Sequence, residues 1–144
     1  MTFRASLKFA APPSSVFAAF EDGARLAVWW GPGGFTNTFK TFELKPGGKW
    51  SFVMHRPDGK NYPNAIVVAE IEPLKKIVIQ HVSQPRYLLT VTLELTADGG
   101  TLVGWNQEFE NPELGRRMER ILVPANEQLL DQLSAEVLRG HGGD

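Results

Sequence analysis

A chain of 144 residues, 42% apolar and 22% charged, has the composition of a folded domain and enough length for one substantial core, so disorder is excluded and one domain over residues 1–144 is expected. Lys and Arg number 15 against 16 Asp and Glu, a formal net charge of −1; with no basic stripe, binding driven by nucleic-acid phosphates is not expected. The chain has no cysteine, which removes disulfides, thiolate metal sites and a cysteine nucleophile and fits a reducing compartment. The N-terminus lacks a basic start followed by an apolar run, and no run approaches the roughly 20 apolar residues a bilayer span needs. These features predict a soluble cytoplasmic protein without membrane insertion.

Phe3, Ala5, Leu7 and Phe9 alternate over residues 2–10, the period of a first strand, which Pro12-Pro13 stops. Val16, Phe17 and Phe20 recur at helical spacing after Ser14-Ser15. Asp22 is placed to cap a second helix whose apolar side is Leu26, Trp29 and Trp30, ended by Gly31-Pro32. Strands follow at 35–42 and around the alternating Trp50, Phe52 and Met54, separated by the turn Pro46-Gly47-Gly48. Pro57-Asp58-Gly59 is another turn, because proline presets φ and glycine accepts positive φ. Segments 64–71 and 76–82 form the next antiparallel pair. Tyr87, Leu89, Val91, Leu93 and Leu95 then give the clearest two-residue period, and Asp98-Gly99-Gly100 turns it back into Val103, Trp105, Gln107 and Phe109.

After Asn111-Pro112 the period becomes helical. Met118, Ile121, Leu122, Ala125, Leu129, Leu133 and Val137 define one stripe, with Gly140 as the stop and the tail 141–144 frayed. Pro124 removes an N–H from the helix interior and predicts a kink or a split there. Grouped antiparallel strands with segregated helices predict an α+β fold, in which a curved sheet of six or seven strands wraps the long C-terminal helix.

Three segments carry a family likeness: Trp29-Trp30-Gly31-Pro32-Gly33-Gly34-Phe35, Pro46-Gly47-Gly48-Lys49-Trp50 and Arg56-Pro57-Asp58-Gly59. With them the chain resembles, over nearly its whole length, the AHSA-like families (relatives of the activator of the heat-shock-protein ATPase) of the START-like, SRPBCC superfamily. The resemblance implies a helix-grip fold with two short helices after strand 1 and a cavity between sheet and C-terminal helix.

Trp29, Trp30, Trp50, Tyr62, Tyr87 and Trp105 can line such a cavity, since pockets for small apolar ligands are largely aromatic; each ring can equally be ordinary core filling. Gln107 shares its strand face with Trp105 and Phe109, and His81 shares one with Ile77 and Ile79, so both should point inward and need partners. Asn126 lies beside the helical stripe and can join them. Trp29 and Trp30 are expected at the rim, Trp50, Met54, Tyr87, Trp105, Met118 and Leu122 in the wall, and His81 and Gln107 as polar anchors.

No metal or other cofactor is expected: His55, His81 and His141 lack ligand spacing, and no serine lies in a nucleophile elbow. Gly31-Pro32-Gly33-Gly34 lacks the lysine of a phosphate loop, and Glu108 and Glu110 fall on the outer face. The leading expectation is a binding protein for a small hydrophobic molecule. The alternative is a small enzyme similar to polyketide cyclases and lyase-like relatives, with His81 or Tyr62 as acid or base. A chaperone partner comes third, suggested only by the family's name-giving members, and a homodimer is left open.

Overall fold

In the computed structural model, which describes residues 2–142, the chain runs β1 (Thr2–Phe9), α1 (Pro13–Glu21), α2 (Gly23–Trp29), β2 (Thr36–Phe42), β3 (Lys49–His55), β4 (Asn61–Glu72), β5 (Lys76–His81), β6 (Tyr87–Leu95), β7 (Thr101–Phe109) and α3 (Pro112–Gly142). The strands form one antiparallel sheet in the order β1-β7-β6-β5-β4-β3-β2. From β2 onward each strand pairs with its sequence neighbour. The exception is β1, which closes the far edge on β7, so α1 and α2 must carry the chain from one sheet edge to the other. This is the helix-grip architecture expected from the sequence.

Local chemistry explains the crossing. Pro13 opens α1, where its missing N–H removes nothing. Asp22 caps α2 by accepting a hydrogen bond from the Ala24 N–H at 2.9 Å. Register shifts between Phe39 and Thr41 in β2 and between Val68 and Glu70 in β4 insert an extra residue into each strand. Such bulges bend and twist a sheet, turning one face into a concave wall.

That concave face is apolar because the strand phase makes it so. Phe52, Ile66, Val68, Ile77, Ile79, Leu89, Val91, Val103 and Trp105 are all buried in one cluster. Across it lies α3, whose buried residues gather late in the helix: Asn126, Leu129, Leu130, Leu133, Glu136 and Val137. Between 112 and 125 the buried residue is Gly115. The predicted stripe therefore needs two corrections. Ile121 is 66% exposed, whereas Leu130 and Glu136, outside the stripe, are 2% and 3% exposed.

The expected split at Pro124 does not occur, since α3 is continuous through it. The helix also continues to Gly142, past the expected stop at Gly140. Of the tail, Gly143 and Asp144 lie outside the described residues. Among those described, no helix is long and apolar enough to cross a membrane.

Candidate functional site

Between the concave face and the first half of α3 lies a cavity of about 250 Å³. Trp105, Gln107 and Phe109 reach it from β7, Tyr87 from β6, His81 from β5, Asn64 from β4 and Met54 from β3. Met118, Ile121, Leu122, Ala125, Asn126 and Leu129 cover it from α3, and Trp30, Gly31, Pro32 and Phe35 close one end. Since Ile121 both lines the cavity and is 66% exposed, the mouth opens beside it.

The closing loop is held from three directions. Asn37 Nδ2 donates to the carbonyls of Ala27 (3.1 Å) and Trp30 (2.8 Å), and Gln132 Nε2 donates to those of Trp29 (3.2 Å) and Gly31 (2.7 Å). Gln128 Oε1 accepts from the Gly33 N–H at 3.2 Å. Gly31 is required here: its φ is +95°, and a Cβ would come within 2.6 Å of Met54 Cε.

The polar groups of the cavity are few. Asn126 Nδ2 donates to Gln107 Oε1 at 3.1 Å, joining α3 to β7 in the interior. That bond uses one donor and one acceptor and leaves the Gln107 NH2 and the Asn126 carbonyl without partners among the described residues. The Trp105 Nε1–H is buried and unpartnered, and the Tyr87 hydroxyl has no partner among the described residues.

His81 is differently placed. It is 3% exposed and stacks on Tyr87 with ring centroids 4.6 Å apart and planes 5° from parallel. Its Nδ1 faces the carbonyls of Ser83 (2.9 Å) and Pro85 (2.7 Å), so the ring carries a proton there. Its Nε2 lies 2.7 Å from the Asn64 Oδ1 and 3.4 Å from the Ser83 hydroxyl. Burial lowers the His81 pKa below the usual imidazole value, against the opposing pull of the two carbonyls. Burial also raises the Tyr87 phenol above its ordinary range. Both shifts favour the uncharged rings, and among the described residues no Lys, Arg, Asp or Glu lines the cavity.

Nine of the twelve residues singled out from sequence line this cavity: Trp30, Met54, His81, Tyr87, Trp105, Gln107, Met118, Leu122 and Asn126. Three do not. Trp29, expected at the rim, is fully buried against Phe20 at 4.9 Å and donates its Nε1–H to the Ala19 carbonyl at 3.1 Å, making it part of the α1–α2 joint. Trp50 packs on Phe42 (5.3 Å) and Trp30 (5.6 Å) in the core beside the cavity. Tyr62 is 42% exposed and accepts a hydrogen bond from Arg56 at 3.2 Å outside it.

Asn64 was missed, although it lies two and four residues before Ile66 and Val68 and so shares their inward phase. Phe109 was readable by the same rule from Gln107. Phe35 and Pro85 sit on loops, where no period reports direction.

A second depression of about 330 Å³ lies along β1 and α3, lined by Arg4, Glu127 and Asp131 together with Ala5, Ser6, Leu7 and Leu130. It is a charged groove at the sheet edge, with no unpartnered buried polar atom in its lining.

Residues 10–137 match the family Activator of Hsp90 ATPase homolog 1-like protein. The chain belongs to that family. Solved structures agree on the fold of this Activator of Hsp90 ATPase homolog 1-like domain. A protein from Nitrosomonas europaea is 19% identical with a TM-score of 0.88, covering 100% of this chain and 97% of its own. One from Chromobacterium violaceum is 25% identical with a TM-score of 0.81, covering 94% and 96%. The AHSA1 protein from Silicibacter pomeroyi is 24% identical with a TM-score of 0.75, covering 98% and 100%. No curated protein matches the sequence.

Proposed function

We propose that the chain binds a small, largely apolar molecule, aromatic or short-acyl, in the cavity between the sheet and the first half of α3. The observation that carries this reading is the pairing of empty apolar volume with unpartnered polar groups. Interiors pack to crystal-like density, and buried N–H groups are almost always bonded. Here a space of about 250 Å³ is lined by the Gln107 and Asn126 amides, whose mutual bond leaves one donor and one acceptor over. A dry apolar cavity of roughly 150 Å³ already accepts benzene, so substituted aromatics fit the volume.

The enzyme alternative asks for an acid or base facing the substrate. Both nitrogens of His81 are engaged by Ser83, Pro85 and Asn64, and Tyr62 lies outside the chamber, so neither is free to move a substrate proton. This favours the binding reading over the acid–base roles of His81 and Tyr62.

Titration with small aromatic and acyl compounds, followed by intrinsic tryptophan fluorescence, tests it. Trp30 and Trp105 line the cavity, so occupancy should change emission and raise the melting temperature together. A broad compound set that moves neither observable would remove the reading.

A further inference from the structure

Resting on that binding reading, we propose that the cavity selects an uncharged aromatic molecule carrying one hydroxyl, which Gln107 and Asn126 hold through donor and acceptor groups the fold leaves unused. Gln107 and Asn126 spend one amide group each on their mutual bond at 3.1 Å. What remains is one NH2 donor on β7 and one carbonyl acceptor on α3, set on opposite walls. If both amides are turned the bond survives, and one donor and one acceptor are still left over.

A hydroxyl matches this set because it accepts and donates at once. A bare hydrocarbon would cover the leftover amide groups without pairing them, which is the costly condition. An anion would enter a chamber with no Lys or Arg in its lining among the described residues, and the His81 imidazole there is already committed at both nitrogens. An unpaired buried charge is strongly disfavoured.

Three probes of similar shape separate the cases by calorimetric titration at pH 7: p-cresol, p-xylene and p-toluate. In a purely apolar cavity p-xylene would win, since a hydroxyl loses its water bonds with nothing in return. The expected order is p-cresol about tenfold tighter than p-xylene, with p-toluate not bound. In Gln107→Met combined with Asn126→Leu, both partners become apolar at similar size, so no buried amide is stranded. That variant should keep p-xylene binding, which doubles as its folding control, and lose the p-cresol advantage; Gln107→Met alone should lose part of it.

Equal binding of p-cresol and p-xylene, tightest binding of p-toluate, or an undiminished p-cresol advantage in the double variant would overturn this inference while leaving cavity binding intact. Failure of all three probes to bind the wild-type chain would overturn the cavity reading itself.

Discussion

Residues 126–139 and 112–125 of α3 are one continuous helix, yet they meet the rest of the molecule differently. The helix packs on α1, α2 and β1, and its later half holds Leu130, Leu133 and Val137 at or below 2% exposure. The earlier half spans the cavity, with Ile121 at 66% and Val123 at 44% exposure. Pro124 stands at the junction, where its missing N–H leaves the Arg120 carbonyl without an intrahelical donor. One half of the helix is core, and the other is a cover. Fold stability and cavity cover are thereby weighted toward different ends of the same element, meeting at Asn126 and Leu129, which are buried and also line the cavity.

The largest effects should come from the packed half. Leu133→Ala should cost about 2–5 kcal/mol in denaturant unfolding, because the site is closed on all sides. Leu122→Ala, half-buried over the cavity, should cost about 1 kcal/mol or less by the same measurement. Equal costs would erase the distinction between the halves.

Glu136 sharpens it. Its carboxylate is 2% exposed, accepts from Arg25 Nε at 3.2 Å and is held by the Arg139 guanidinium, tying α2 to the packed half of the helix. Glu136→Gln should destabilise by about 1–2 kcal/mol, discounted because Arg139 is largely exposed and rehydrates. Ligand affinity should not change.

A smaller effect is expected from His81 on the cavity side. Its folded pKa lies below the ordinary 6.5, so the unfolded chain binds more protons in the window just under that value. Stability should accordingly be fully present above about pH 6.5 and fall as the pH drops through that window. Stability measured against pH for the wild type and His81→Gln isolates the contribution; identical slopes would mean that His81 does not titrate between the two states.

The sequence discloses the fold well and the site unevenly, for physical reasons. Strand phase placed Trp105, Gln107 and His81 inward, because alternate residues of a half-buried strand must face the core. Helical spacing identified the apolar side of α3, Ile121 included, but could not tell where along it close packing ends, which is why Ile121 is on the cavity side and still 66% exposed. Aromatic identity is a poor guide to lining: Trp29, Trp30 and Trp50 are alike in type, and only the path of the Gly31-Pro32 loop decides that Trp30 alone borders the cavity. Tyr62 has the inward phase opposite Met54, yet it lies near the strand end, where the concave wall has run out.

The central claim is that the space under residues 112–125 is a receptor and not loose packing, and Ala125→Phe tests it most directly. Ala125 is half-buried on the cavity side of α3. In a filled core an added ring forces strain of about 1–3 kcal/mol. In an open receptor it occupies the ligand's place. Calorimetric titration of wild type and variant with p-cresol, alongside their thermal midpoints, should show binding by the wild type, none by Ala125→Phe, and a midpoint unchanged or raised. A lowered midpoint with p-cresol binding retained would contradict the account.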